Sequence, residues 1–443
     1  MLPLILNEAL TYLLSLGHET LSIKLGLKNT ERLLEALENP HRQFPSVQIA
    51  GTNGKGSTAV MLESICRAAG IRTGLFTSPH LVSITERIRV NGDQISESEF
   101  ARITGEVKTT AERLVAEGKL ETLPTFFEHV TAIALLAFRE AQVELAILET
   151  GLGGRLDSTT AAGAEVVAIT PIAMDHEEYL GHTLPEIASE KAAIIRPGVT
   201  AIVAPQPEEA SEVIRRQCES VGVKPRLVEY PNYYPLATSS GASPADGTSA
   251  YPVFETPHDR YENVRLGLLG CHQLENAATA IALAEALRDR GFSLSREAII
   301  SGLEKAKHPG RLELWEGEPH ILFDGAHNPA AARALRAFLD EFVKQPITMI
   351  FGAMQDKALR EMAAILFPAA RALILTQIDN PRAATLEMMK SAAPQNLDCE
   401  MHYTNSTEEA FVLAREVTRP DGLVCVTGSL YLVGEVQQSI RTI

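Results

Sequence analysis

Cysteine is scarce in this chain and never paired: Cys66, Cys218, Cys271, Cys399 and Cys425 show no CxxC spacing. That excludes a disulfide framework and a thiolate zinc site, and leaves buried reduced thiols as the ordinary reading. Positive charge is also short. The 40 Lys and Arg stand against 56 Asp and Glu, a formal charge of −16, which argues against general nucleic-acid binding or a basic membrane anchor. An anionic substrate must then be met by local cations and metal rather than by the global field. No apolar run approaches the ~18 residues of a membrane span. The N-terminus carries Glu8 and no Lys or Arg before Lys24, so it lacks the basic start of a signal peptide and reads as an amphipathic helix. A cytoplasmic monomer without nucleic-acid or membrane partners is expected. Aromatics are few, at 5%, and aliphatics plentiful, as in layered α/β proteins.

At 443 residues the chain is too long for one typical core, and two or three domains are the prior. Its most informative stretch is Gly51-Thr52-Asn53-Gly54-Lys55-Gly56-Ser57-Thr58. The apolar run 47–50 before it suits a buried strand, and 59–69 after it has helical spacing. Strand, glycine loop, lysine and helix start make a phosphate cradle. Loop N–H groups face anionic oxygens, the lysine adds a point charge, and the helix N-terminus adds its dipole. ATP is the expected ligand. The usual pattern wants a glycine four places ahead of the Gly-Lys pair and a Ser or Thr directly after it. Here Ile49 and Gly56 hold those places, so the hydroxyls of Ser57 and Thr58 come late. Another residue is then expected to supply the metal ligand.

Strands are predicted at 73–77, 145–148 and 166–170, and helices at 97–117, 128–142, 274–290 and 295–306. A turn falls at Asn91-Gly92. The segment 231–258, rich in Ser, Gly, Pro, Ala and Tyr, reads as a surface loop or β-rich excursion. His308-Pro309-Gly310-Arg311 breaks the helical pattern and is the best linker candidate. Beyond it strands at 321–323, 348–351, 373–376 and 423–426 alternate with helices. The predicted fold class is α/β, with a P-loop domain over 1–307 and a smaller Rossmann-like domain over 308–443.

In mainly parallel sheets, ligands bind at the carboxyl ends of strands. Lys55, Ser78, Glu149 and His176 all follow apolar strands and are expected to converge on one rim. Carboxylate, imidazole and hydroxyl could share a cation; oxygen ligands suit Mg²⁺, and a histidine would also accept Mn²⁺. Equally, Glu149 could be an ordinary strand-end acid and His176 a helix cap. Lys191, in an apolar helix end, either snorkels to solvent or is a buried lysine of lowered pKa that binds phosphate or is modified; physics alone favours the first. Asp324 could hold a ribose, although an Asp-Gly turn with a cap at Asn328 explains the same residues. Arg311 could reach phosphates or tie two domains together.

Read together, these motifs resemble the folylpolyglutamate synthase/dihydrofolate synthase family, ATP-dependent amide ligases of the Mur ligase superfamily. The resemblance rests on Gly51 to Ser57, Thr77-Ser78-Pro79-His80-Leu81 with Glu86-Arg87, and Glu149-Thr150-Gly151-Leu152-Gly153-Gly154-Arg155-Leu156-Asp157. Asp175-His176, Glu190-Lys191-Ala192, Asp324-Gly325-Ala326-His327-Asn328-Pro329 and Thr427-Gly428-Ser429-Leu430-Tyr431 complete it. The family pattern has glycine directly after the P-loop lysine. By resemblance, Thr52, Asn53, Gly54, Lys55, Gly56 and Ser57 would hold ATP phosphates, and Asn276, Arg311 and Asp324 the rest of the nucleotide. Ser78, Glu149 and His176 would bind metal. Lys191 would be carbamylated and hold a second metal, which reverses the snorkelling reading. His327 and Ser429 would position the γ-phosphate or the incoming glutamate. Thr125, Phe126, Phe127 and Glu128, with Leu156, Asp157 and Ser158, resemble the pterin-binding segments of bifunctional members.

The resemblance implies that L-glutamate is joined to dihydropteroate and to the tail of reduced folates through an acyl phosphate. Two other classes compete. A Mur peptidoglycan ligase would need a domain ahead of the P-loop, where only about 45 residues stand, too few for one. A P-loop kinase or switch would leave the 324–329 motif and Lys191 unexplained.

Overall fold

Strand β1 (Ser46–Ala50) is buried along its whole length. Val47 and Ile49 pack into the core on one face of the sheet, and Ala50 into that on the other. A strand covered on both faces is a near-continuous apolar run and sits among parallel neighbours joined by helices. The computed structural model describes residues 4–17, 26–229 and 252–442. Within them β2 (Thr73–Phe76), β3 (Ile88–Val90), β4 (Asp93–Gln94), β5 (Leu145–Glu149), β6 (Val166–Ile169), β7 (Thr200–Val203) and β8 (Arg226–Leu227) join β1 in an eight-stranded sheet. Its order is β4-β3-β2-β5-β1-β6-β7-β8. Pairing is parallel except around β3, which runs antiparallel to β2 and β4 about the predicted Asn91-Gly92 turn.

From β1 the chain crosses to β2, beyond β5, whereas β6 lies on the other side of β1. The order reverses at β1, and such reversals open a crevice at the carboxyl edge. The P-loop leaves from that edge into the helix Lys55–Ala68, which starts four residues before the predicted 59. This helix is walled in by His272–Asp289 and Arg296–Lys305. Gly302 permits the approach, since a Cβ there would lie 2.3 Å from the Ile65 Cα. Leu62 and Ile65 are fully buried, each worth about 1.5–3 kcal/mol. On the opposite face, Leu6–Ser15, Glu97–Ala116 and Phe126–Glu140 build a second core.

Most of the predicted 231–258 excursion lies outside the described residues. Its end holds β9 (Phe254–Glu255), paired antiparallel with β10 (Arg260–Tyr261). A second sheet follows, built from β11 (Glu313–Trp315), β12 (His320–Asp324), β13 (Ile347–Phe351), β14 (Ala372–Thr376), β15 (Glu400–Thr404) and β16 (Leu423–Thr427). The order is β11-β12-β16-β13-β14-β15, with only β11 antiparallel to its neighbour. Apolar cores cover both faces. Among the described residues, no helix is long and apolar enough to cross a membrane.

Candidate active site

The carboxyl edges of both sheets open on one cavity. The first contributes Thr52 to Ser57, Ser78, Glu149, His176 and Lys191, and the second Asp324, His327, Lys357, Arg382 and Ser429. The four residues expected on one rim thus line a single cavity, and the second sheet closes it from across.

The P-loop is held from behind. The Thr52 hydroxyl donates to the Ala173 carbonyl (3.0 Å) and accepts from its N–H (3.1 Å). Gly54 has φ +84, and a Cβ there would meet the Asn276 Oδ1 at 2.2 Å. The Lys55 ammonium donates to the Thr52 carbonyl at 3.0 Å; burial lowers its pKa, opposed by the charges of Glu149 and Asp175. Gly56 has a steric reason. A Cβ would lie 2.8 Å from the His308 ring and 3.3 Å from the Glu149 Oε2. Gly56→Ser, although it restores the usual pattern, should therefore weaken binding of a non-hydrolysable ATP analogue about tenfold by titration, the scale of 1–3 kcal/mol of overpacking. Unchanged affinity would mean that His308 yields.

Of the late hydroxyls that of Ser57 is engaged, and that of Thr58 is buried with no hydrogen-bond partner among the described residues. The Ser57 hydroxyl lies 3.3 Å from His308 Nδ1 and accepts from Gln273 at 3.3 Å, while Thr58 is wholly buried. Glu149 ends β5 with its carboxylate accepting from the Ser78 N–H at 3.1 Å. Burial raises its pKa, against the Lys55 charge and that hydrogen bond. His176 precedes the short helix Glu177–Leu180 with φ +51, but its side chain makes no cap bond. Burial lowers its pKa to about 3, so the imidazole is neutral and can ligate. Among the described residues no three His, Cys, Asp or Glu side chains form an ion cage. One carboxylate, one imidazole and one hydroxyl fit a Mg²⁺-type ion that takes its other ligands from phosphates and water.

Lys191 overturns the snorkelling expectation. It is 4% exposed and donates to the Gly51 carbonyl at 2.8 Å. Burial, then the Lys55 charge, lowers its pKa to about 7. Phe126 is likewise corrected: it is buried in the core beneath Arg87 and does not line the cavity. The helix Phe126–Glu140 turns Phe126 inward and Phe127 outward. Thr125, Phe127, Glu128, Leu156, Asp157 and Ser158 do line it. Glu128 also caps its own helix through the Thr125 N–H (2.7 Å), and the Asp157 carboxylate accepts from the N–H groups of Leu152 (2.9 Å) and Thr159 (3.0 Å).

Across the cleft, Asp324 accepts from the N–H groups of Leu312 and Ala326, both at 3.0 Å, and Arg311 donates to the Gly325 carbonyl at 3.3 Å. Both still face the cavity. Asn328 caps Pro329–Phe342 as expected, accepting from the Ala331 N–H. Its amide also donates to Asn53 (3.0 Å) and Asp175 (3.2 Å). Asp175 is the hub of that contact, with Lys357 at 2.7 Å and His327 at 3.6 Å. Burial pulls its pKa up, but the His327 ring beside it and the Lys357 ammonium hold it well below the usual range. Sequence reasoning missed Lys357, Arg382, Gln273 and His308 as site residues. Lys357 follows β13 as Lys55 follows β1, a signal that was readable.

Two family models match this architecture. The Mur ligase middle domain covers residues 49–284, and the Mur ligase glutamate ligase domain covers residues 310–430. A dihydrofolate synthase/folylpolyglutamate synthase of Bacillus subtilis is 33% identical over 433 residues, 96% of this chain and 97% of that protein. The chain belongs to the folylpolyglutamate synthase/dihydrofolate synthase family of Mur ligases. Folylpolyglutamate synthase of Mycobacterium tuberculosis, solved with ADP, is similar with a TM-score of 0.88 at 28% identity, covering 98% of this chain and 97% of that one. A bifunctional folylpolyglutamate synthase/dihydrofolate synthase solved with Mn, AMPPNP and L-glutamate has a TM-score of 0.83 at 29% identity, covering 99% and 98%. Family membership accounts for the two facing rims: one matches the middle-domain model, the other the glutamate-ligase model.

Proposed function

We propose that this protein is an ATP-dependent acid–amino-acid ligase that joins L-glutamate to dihydropteroate and to the glutamate tail of reduced folates. Residues 1–307 form its ATP-binding unit and 308–443 its ligase unit. The observation that carries the reading is the single cavity in which a P-loop faces Lys357 and Arg382 across a domain junction. A kinase needs only the first wall.

A carboxylate is a poor acyl donor because oxide is a poor leaving group. Its attack on the γ-phosphorus of ATP expels ADP and leaves an acyl phosphate. The glutamate amine then attacks the acyl carbon, loses a proton, and phosphate departs. Lys55 and the amides of Gly54, Gly56 and Ser57 hold the triphosphate; Thr52 and Asn53 fix the loop. Asn276, Arg311 and Asp324 enclose the nucleotide. Ser78, Glu149 and His176 would hold Mg²⁺ or Mn²⁺, which supplies positive charge to the transferring phosphoryl group. Neutral Lys191 can attack CO₂, forming an N–C bond and releasing a proton, and its carbamate would hold a second ion. Thr125, Phe127, Glu128, Leu156, Asp157 and Ser158 form the wall for the pterin end of the acid. Lys357, Arg382 and Ser429 meet the carboxylates of glutamate, and His327 stands beside Asp175 where γ-phosphate and glutamate converge. Domain closure keeps water from the acyl phosphate.

Phosphate release from ATP with L-glutamate tests this reading, with dihydropteroate or tetrahydrofolate added in turn. Release with both acids is expected, with dihydrofolate formed from the first. Release with tetrahydrofolate alone confines the enzyme to tail extension, and release with neither refutes the proposal.

A further inference from the structure

His308 is the one imidazole that the interdomain connection sends to the P-loop. Its Nδ1 shares a hydrogen bond with the P-loop serine. The Gln273 carbonyl oxygen accepts from Asn276 at 2.9 Å, which orients the amide. The Gln273 nitrogen then faces the Ser57 hydroxyl at 3.3 Å and His272 Nε2 at 3.1 Å, and donates to both. Ser57 Oγ, which accepts from Gln273, still has its hydrogen to donate and lies 3.3 Å from His308 Nδ1. With Ser57 donating, that nitrogen is bare and the ring proton sits on Nε2. Burial and the charges of Arg311 and Arg89 hold the imidazole well below its ordinary pKa, which keeps it neutral.

Nε2–H makes no hydrogen bond to any described residue. It stands 3.2 Å from the point where a Gly56 Cβ would be, and the Glu149 Oε2 lies 3.3 Å from the same point. This is the space over the first turn of the P-loop helix, inside the cavity.

Resting on the ATP-binding reading above, we propose that His308 positions the terminal phosphate of the nucleotide. Nδ1 holds Ser57 in the P-loop helix while Nε2–H is offered to a γ-phosphate oxygen. Because His308 opens the connection that continues through Gly310 to Arg311, a bound triphosphate pulls directly on the junction between the domains. A diphosphate does not. The absent side chain at Gly56 is the room this contact needs.

Three variants, His308→Ala, His308→Asn and His308→Gln, separate the two nitrogens. Asparagine can keep the Ser57 contact of Nδ1, and glutamine can place an N–H where Nε2 stands. The readout is the affinity of the full chain for AMPPNP and for ADP, with Mg²⁺ present. Alanine and asparagine should weaken AMPPNP about tenfold, the size of one hydrogen bond to a charged group, and leave ADP within about twofold. Glutamine should stay near wild type for both. Equal losses for the two nucleotides, or no loss, would overturn the proposal by reducing His308 to a support for Ser57 or to a bystander. If alanine fails to fold, the asparagine–glutamine comparison decides alone. Wild-type protein that binds neither nucleotide would refute the ATP reading itself rather than the role of His308.

Discussion

Glu149→Gln should lower glutamate-dependent phosphate release about a hundredfold to a thousandfold, the range for loss of one preorganised electrostatic group, without lowering the thermal midpoint of the ligand-free protein. The two halves of that expectation have one cause. The carboxylate ends a fully buried strand and has one hydrogen bond from the Ser78 N–H. Burial raises its pKa in the folded state, so the folded chain binds the proton more tightly than the unfolded one. Between the unfolded carboxyl pKa and that raised value, stability falls as pH rises. Above that raised value the ionised side chain is thus a cost to the empty protein, which a cation in the site would relieve. Glutamine is neutral at every pH and can still accept from Ser78. A midpoint equal to or above that of wild type, with activity lost, is the expected pair of results. A lower midpoint together with lost activity would make Glu149 a structural acid.

Lys191→Met should cost activity on a similar scale, about a hundredfold or more, and the same assay checks it. Methionine fills the volume but cannot form a carbamate. Two further readings discriminate modification from simple phosphate binding. Depleting CO₂ and bicarbonate should slow the wild-type enzyme, and a short carboxylic acid should partly restore Lys191→Ala. The pH dependence follows from the depressed pKa of about 7. Below it, the folded protein must hold a buried ammonium, so the destabilisation is fully present. As pH rises from about 7 toward the unfolded lysine value near 10.4, that destabilisation fades. Lys191→Met should therefore raise the thermal midpoint most at pH 6 and less at pH 9. A midpoint change independent of pH, with no response to bicarbonate, would remove the modification from the account.

Much of this site was legible in the sequence because parallel sheets obey a simple rule. Apolar runs at 47–50, 145–148 and 166–170 had to be strands, and ligands gather where such strands end. That rule alone brings Lys55, Glu149 and His176 to one rim. What was not legible depends on packing across long separations. Nothing local to Gly56 reveals that an imidazole 252 positions on would occupy its side-chain space. On physics alone Lys191 read as a snorkelling lysine, because a lone lysine in an apolar helix end usually reaches solvent, whereas the P-loop carbonyl of Gly51 gives it a buried partner. Phe126 and Phe127 are adjacent in sequence, yet helical geometry sends one into the core and the other to the cavity. Strands β8 and β15 escaped notice because the first is two residues long and the second carries polar residues, as edge strands do.

The P-loop helix also sets a timetable for synthesis. Ser57 waits for Gln273, 216 positions downstream, and for His308, 251 positions downstream. At ~5–20 residues per second, roughly 10–50 s separate the emergence of the loop from that of its last support. Through that interval the nascent chain carries the apolar flank of Lys55–Ala68, including Leu62 and Ile65, before Gly302 arrives to cover it. Nucleotide can stabilise the finished enzyme but not the half-made one. Slow stretches of translation before residue 308 would lengthen the exposure.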